Sequence, residues 1–479
     1  MAIFSICILF SWILLGPDEA QYWTWSQALD WGYYSKPPGI AWQIGIGTKI
    51  FGQTEWGVRS FSIVFGFFQA LLLYELASEA GLSSRASFWS GILMAFCPIG
   101  IIGSFLAITD IGFLLCWTAA CLCVVRSFRK NQEVQPHWIG FWIALGALFK
   151  WPVYFFWIFT FPYMRRIKKP AIIGFCISLL GLLPSLWWNM HHHWATFRHV
   201  FATLEGGHGE KESNFFSFIG SQIVLLSPVL FFLLCFACQK WIKKKSLLPP
   251  SIAFCGIVTF GSLTAAALLA CFQKIQGNWA IFAYPTAIVL ICWVLFDQPG
   301  KRIRLVTWGF GFSLFFTVIL ALILSSIYPQ WNPFKHNQGW TSLSEELDWH
   351  GYDPERHYLF SDKYQTASLL SFYAKGQKRA YFLPLDNIRK NQFSYWPSLQ
   401  EERKGQTGYF VWVENAPKLE TDYPEKIPFY QQKLGKFFEN VEYLGLVPLI
   451  QKGNFLIKGA LIFRCHNCRE IPPNESSLY

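Results

Sequence analysis

The sequence predicts an α-helical polytopic membrane protein of about eleven spans, followed by a soluble α/β domain. Two observations carry this: 53% of the 479 residues are hydrophobic and only 14% are charged, against about 25% charged in ordinary soluble proteins. A mean hydropathy of +0.29 over the whole chain points to repeated bilayer crossings rather than one large core. The third observation is a change of composition near Tyr328, where apolar runs give way to mixed and charged sequence. Disordered and disulfide-scaffold classes are excluded.

Apolar runs lie near residues 1–16, 57–77, 88–107, 109–125, 138–149, 152–164, 171–188, 216–238, 250–271, 279–296 and 305–327. A span needs about 20 helical residues, so the two runs flanking Lys150, Trp151 and Pro152 are short, and one kinked helix is the alternative reading. Basic clusters decide the count. They are Arg126, Arg129 and Lys130; Arg165, Arg166, Lys168 and Lys169; Lys240, Lys243, Lys244 and Lys245; and Lys301, Arg302 and Arg304. Lys and Arg gather in cytoplasmic loops, and all four clusters fall on that side only if residues 138–164 cross twice. The net charge of +11 is thereby explained by topology, and nucleic acid is not an expected partner.

Residues 1–16 have no preceding basic residue and no fitting cleavage site, so an anchoring helix is expected rather than a cleaved signal. Its shortness fits a start codon called late. The expected domains are a transmembrane catalytic domain, 1–327, and a soluble α/β domain, 328–479. In the latter, 'HYLFSD', 'RAYFLPL', 'GYFVWVE', 'VEYLGLVPLI' and 'GALIFRCH' read as strands, and Lys363 to Ala374 as a helix. Tyr364, Tyr373 and Trp396 read there as core or surface aromatics. Most cysteines sit inside spans as small apolar residues; Cys465 and Cys468 are expected to form a structural pair on the far face of a bacterial-type membrane.

This topology brings residues 17–56, the Thr109–Asp110 turn, Lys150, residues 189–215 and 272–278, and the C-terminal domain to the non-cytoplasmic face. Asp18 and Glu19 follow the first span directly, and ionisable groups at such depth point to function. Tyr22, Trp23, Trp25, Trp31, Tyr33 and Tyr34 interleave with polar residues, which suits short interfacial helices; the bland reading is an aromatic belt with Asp18 as a helix cap. Lys36 precedes Pro37 and Pro38, a stiff turn that would hold a cation beside a lipid phosphate. Asp110 needs a partner, water or a cation, unless it caps its helix; Lys150 stands at the matching break of the next hairpin. The loop over residues 183–215 holds five His, with Arg198 as a phosphate ligand. Three consecutive His, 191–193, point different ways on a helix and make a poor chelating set. Gly206, Gly207 and Gly209 suggest a lid.

The order 'DEAQYW', 'KPPG', 'TD', 'LFKWP', 'LPSLWWN' and 'KIQGNW', followed by a soluble far-face domain, resembles the multi-span lipid-linked-sugar glycosyltransferases of the GT-C type. These comprise protein O-mannosyltransferases, aminoarabinose transferases of lipid A, and bacterial relatives that modify lipopolysaccharide cores. The likeness covers roughly residues 1–330. It implies Asp18 as general base, Lys36 as donor-phosphate ligand, Asp110 and Lys150 as further acidic and basic site positions and, more loosely, Arg198 as a phosphate contact. The short amino terminus and the His run depart from the pattern.

Chemistry agrees with the likeness. Sugar transfer from a polyprenyl phosphate needs a base for the acceptor hydroxyl and positive charge for the leaving phosphate. Asp18 would serve as base; Lys36, Lys150 and Arg198 would hold phosphate; Glu19 or Asp110 would orient the acceptor, the base or a divalent cation, for which Asp18, Glu19 and Asp110 are the candidate ligands. No other cofactor is expected. The expected function is an inverting transferase of the bacterial inner membrane with its site facing the periplasm, a polyprenyl-phosphate sugar as donor and a glycolipid, lipid A or lipopolysaccharide core, as acceptor. A protein Ser or Thr acceptor is the alternative within this class. A transporter or lipid flippase is the alternative outside it, and the sequence lacks the repeated halves usual there.

Overall fold

The computed structural model describes residues 13–164, 168–204, 214–243, 247–296, 308, 311, 312, 315, 335–386, 388–414, 418–419, 423–453 and 455–473. The first expected span, the last, the glycine loop 206–209 and the 327/328 boundary therefore lie wholly or largely outside the described residues. The chain packs as two compact units. One comprises residues 36–43 and 59–319, the other residues 1–35, 44–58 and 320–479.

In the first unit the helices are α3 (Glu55–Glu79, which begins in the other unit), α4 (Ser84–Phe96), α5 (Pro98–Phe105), α6 (Thr109–Arg129), α7 (Pro136–Ala147), α8 (Phe156–Met164), α9 (Lys168–Leu179), α10 (Leu183–His191), α11 (Ala195–Leu204), α12 (Phe215–Leu226), α13 (Pro228–Lys243), α14 (Pro250–Phe272) and α15 (Tyr284–Phe296). Five continuous helical stretches are long and apolar enough to cross a membrane: 55–79, 109–129, 169–191, 250–272 and 277–296. Two bent pairs bring the number to seven among the described residues, α4 with α5 at 61° and α12 with α13 at 106°. Proline explains both breaks, since Pro98 and Pro228 each open the second helix, where a missing N–H costs nothing. The protein is a multi-pass membrane protein.

The short runs around Lys150 form a hairpin. A Cβ placed on Gly140 of α7 would meet the Gly174 carbonyl of α9 at 2.0 Å, and one on Gly181 would meet the Ala144 carbonyl at 2.2 Å, so the two backbones touch and rise together. Close approach of small residues is how helices associate without a hydrophobic drive between them. After the tip the chain returns beside the same stretch: the Tyr154 hydroxyl donates to Ser178 O at 2.6 Å, and Trp157 Nε1 donates to Ser178 Oγ at 3.2 Å. Two antiparallel arms thus place Lys150 at the turn.

Charge marks the opposite end. At the C-terminus of α6, Arg126 pairs with Glu75 and Glu79 of α3 at 3.2 and 3.3 Å, and Arg129 with Glu79 at 3.5 Å. Asp110 lies in the first turn of the same helix, 16 residues before Arg126, or about 24 Å at 1.5 Å per residue. Buried aromatics fill the space between helices, with Trp117 against Phe156 at 5.0 Å and Phe282 at 4.8 Å.

The second unit is built on a six-stranded sheet: β1 (Tyr358–Ser361), β2 (Tyr381–Phe382), β3 (Gly408–Glu414), β4 (Lys418–Leu419), β5 (Phe438–Lys452) and β6 (Phe455–Cys468). The order is β2-β1-β3-β6-β4, with β5 also paired to β6. β2, β1 and β3 run parallel, while β6 is antiparallel to β3 and β5. All four residues of β1 and six of seven in β3 are buried, the mark of strands covered on both faces. Helices α16 (Trp340–Trp349), α17 (Tyr364–Tyr373), α18 (Leu399–Glu402) and α19 (Lys426–Leu434) complete this part. Cys465 and Cys468 do not form the expected pair. Both are buried free thiols on β6.

This unit also contains α1 (Pro17–Gln27) and most of α2 (Gly39–Phe51). Eight of the eleven α1 residues are buried, since α17 packs along it, with Trp23 edge-on to Phe372 at 4.9 Å. Trp25 stacks on Tyr33 at 4.6 Å. These aromatics are core rather than a headgroup belt, because a protein surface covers them. On α2 and just after it, Ile46, Ile50, Phe51 and Trp56 stay exposed, as suits a helix lying at a membrane surface.

Candidate functional site

The turn carrying Lys36 is fixed by backbone. Gly39 N donates to Leu148 O at 2.7 Å, and a Cβ on Gly39 would sit 2.6 Å from that carbonyl. Only glycine allows this approach. Pro37 and Pro38 are buried beside it, so the stiff turn is docked two residues before Lys150, at the hairpin tip.

There Lys150 Nζ forms an ion pair with Asp110 Oδ1, and Asn278 Nδ2 donates to Asp110 Oδ2 at 3.2 Å. The Asp110 side chain is only 4% exposed, and that of Lys150 18%. Asp110 does not cap α6: Ile108 occupies that place, and Asp110 stands in the first turn, where the helix dipole favours a carboxylate. Thus four parts of the chain, the 'KPPG' turn, the start of α6, the α7/α8 tip and the 'QGNW' turn, meet at the end remote from Arg126 and Arg129. Asn278 was not singled out in the sequence. Its signal was the break between two spans, where a lone amide has little reason to be unless something polar faces it.

Arg198 is exposed on α11, one residue after Phe197, whose ring stacks on Trp151 at 4.9 Å. This places its helix beside the tip. Asn189 holds the entry to that helix: its Oδ1 accepts from Thr196 N at 2.9 Å, and its Nδ2 donates to Ser185 O at 2.7 Å. The His run ends α10. His191 and His192 bond through Nδ1 to Trp187 O and Trp188 O at 2.9 and 2.8 Å, and His193 and Trp194 have positive φ. They turn the chain.

Asp18 and Glu19 lie in the other unit. Gly16 precedes α1, with Pro17 first, Asp18 second and Glu19 third, so Asp18 is not the cap. Glu19 is 1% exposed and its Oε2 accepts from Gly16 N at 3.0 Å, tying down the helix start. Asp18 next to it is exposed. Leu15 N donates to the Tyr373 hydroxyl at 2.5 Å, and Asn337 Nδ2 to Leu14 O at 2.9 Å. Lys458 is buried, donating to His336 O at 3.1 Å and Gln338 O at 2.6 Å, with Trp340 beneath it at 4.2 Å. Burial lowers its pKa to about 7. Nothing local in the sequence marks Asn337 or Lys458, because their partners lie more than 100 residues away.

Among the described residues no group of three or more His, Cys, Asp or Glu side chains could hold a metal ion. The candidate carboxylates also have donors already: Lys150 and Asn278 on Asp110, and the Gly16 amide on Glu19. Asp110 and Glu19 thus already spend carboxylate oxygens on protein donors.

Many spans with a polar cluster at one end, and a sheet unit that includes α1, define a class: multi-pass membrane proteins that carry a separate α/β part. Two structures of ArnT from Cupriavidus metallidurans share the fold. The apo form gives a TM-score of 0.60 at 12% identity, covering 96% of this chain and 97% of that one. The form bound to undecaprenyl phosphate gives 0.63 at 11% identity, covering 97% of each. Residues 35–188 match the family model of dolichyl-phosphate-mannose-protein mannosyltransferases, a stretch containing Lys36, Asp110 and Lys150.

Among curated relatives, the lipid A galacturonosyltransferase RgtD of Rhizobium johnstonii is 29% identical over 65% of this chain and 66% of its own length. An undecaprenyl phosphate-alpha-4-amino-4-deoxy-L-arabinose arabinosyl transferase of Pseudomonas savastanoi pv. phaseolicola is 28% identical over 37% of each chain. The matched stretches thus span just under two thirds of the first relative and little more than a third of the second.

Proposed function

We propose that this chain is an inverting glycosyltransferase that moves a sugar from a polyprenyl-phosphate donor to a glycolipid acceptor, lipid A or lipopolysaccharide core, at the periplasmic face of a bacterial inner membrane. The observation that carries this reading is the docking of the Lys36 turn onto Leu148 O, beside the Asp110–Lys150 pair, within the stretch that matches the mannosyltransferase model. The relatives named for lipid A and undecaprenyl-phosphate sugars support the donor and acceptor classes. The basic residues at the opposite end of α6 support this orientation.

In the reaction Asp18 takes the proton of the acceptor hydroxyl. The freed oxygen attacks the anomeric carbon opposite the phosphate, the bond from that carbon to the phosphate oxygen breaks, and polyprenyl phosphate leaves with the electron pair. Inversion results. Lys36 and Lys150 stabilise the charge gathering on the phosphate, with Arg198 a further cation on α11. Asp110 and Asn278 hold the Lys150 ammonium, while Glu19 fixes the start of the helix that presents Asp18. No step is routed through a divalent cation, so transfer is expected to survive a chelator.

The test incubates purified protein with polyprenyl-phosphate sugars and glycolipid acceptors, with and without chelator, and weighs the product. A mass gain of one sugar on a glycolipid supports the reading. Gain on a Ser- or Thr-containing peptide alone would move the acceptor to protein, and no donor consumption under any condition would defeat the transferase.

A further inference from the structure

The sheet unit carries an edge that the proposed chemistry has not used. β1 and β2 are parallel neighbours, with Phe360 opposite Tyr381 and Ser361 opposite Phe382, so both carboxyl ends open on one edge. Tyr364 follows the end of β1 and begins α17, and Arg389 lies in the segment after β2. The chain goes from β1 to β2 on one side and then to β3 on the other. Reversal of this kind creates the crevice at which open α/β sheets bind ligands.

The same edge meets the segment that bears Asp18. Tyr364 lies within electrostatic reach of Asp18, Arg389 and Tyr34. Gln392, 1% exposed, accepts from Tyr34 N at 2.7 Å, and Tyr395 stacks on Tyr34 at 5.9 Å. Burial, and then the Asp18 carboxylate, raise the pKa of the Tyr364 hydroxyl, with Arg389 acting in the other sense. The hydroxyl therefore stays protonated at neutral pH as a donor. Asp18, Tyr364 and Arg389 supply in one place an acceptor of protons, a hydrogen-bond donor and a fixed positive charge.

We propose that Arg389 and Tyr364 are acceptor-binding residues: the guanidinium holds an oxyanion, phosphate or carboxylate, on the acceptor headgroup, and the hydroxyl orients the sugar hydroxyl that Asp18 deprotonates. This rests on the reading of Asp18 as base. A guanidinium suits the task because it grips either oxyanion through paired N–H groups, and it puts acceptor selection in the sheet unit.

Steady-state kinetics on the full chain test it, with the donor concentration and the acceptor concentration varied separately. Arg389→Gln is expected to raise acceptor KM by about 10- to 100-fold, the range of a hydrogen bond to a charged group, with donor KM unchanged, and Arg389→Lys to recover part of the loss. Tyr364→Phe is expected to lower kcat more than it raises acceptor KM. A dephosphorylated acceptor and a carboxyl-reduced acceptor identify the oxyanion: Arg389→Gln abolishes the wild-type preference for whichever group is recognised. Binding of undecaprenyl phosphate serves as the folding control. If Arg389→Gln does not fold, Arg389→Lys and Tyr364→Phe carry the same comparison. Acceptor KM within twofold of wild type, or a rise in donor KM instead, overturns the proposal. Full turnover by Asp18→Asn would defeat only the base reading.

Discussion

A carboxylate buried at the end of a membrane helix needs a charge partner, and Asp110 has Lys150 with Asn278 behind it. Lys150→Met leaves that carboxylate buried with one amide, a loss of about 3–5 kcal/mol for an uncompensated buried charge. Adding Asp110→Asn is expected to restore much of it, so the double variant melts above Lys150→Met in detergent; equal or lower melting would show that the pair is not coupled. Lys458 gives a pH signature. Its folded pKa of about 7 lies below the ordinary 10.5, so between those values the unfolded chain holds a proton that the native chain does not. Stability from this group therefore rises with pH across that window and is lowest below about 7. The Tm of wild type minus that of Lys458→Met is expected to increase from about pH 6 to about pH 9, and a flat difference would contradict it. The sequence made Asp110 and Lys150 visible because a charge between apolar runs is costly. Lys458 was invisible because its strand looks ordinary until the sheet buries it.

Elements show the same division. Five spans were legible from length and hydropathy, and two more apolar runs fold as bent helix pairs, while the arms of the hairpin at residues 138–164 are shorter than a full span. What was not legible was where the first outer loop packs. The aromatics of α1 look like a headgroup belt in one dimension, and only the approach of α17, more than 300 residues later, makes them core. The Lys36 turn was read from its two prolines, while its anchor is the following glycine. Gly39→Ala forces a Cβ against the Leu148 carbonyl and shifts the turn, with an expected penalty of about 1–3 kcal/mol. Donor KM is expected to rise about tenfold with the spans still folded; an unchanged donor KM would separate the turn from donor binding.

For the whole molecule, the class was readable because membranes allow few solutions for so apolar a chain. The division into compact units was not, since residues 1–35 and 44–58 join the C-terminal sheet and no change of composition announces it. The consequence is that the proposed base and the proposed phosphate ligands belong to different units, and their roles separate in experiment. The direct measurement compares undecaprenyl-phosphate binding and sugar transfer in wild type, Asp18→Asn and Lys36→Met. Asp18→Asn is expected to bind the lipid phosphate as wild type does while transferring no sugar, and Lys36→Met to lose binding. Wild-type turnover by Asp18→Asn, or undiminished lipid-phosphate binding by Lys36→Met, would contradict these assignments.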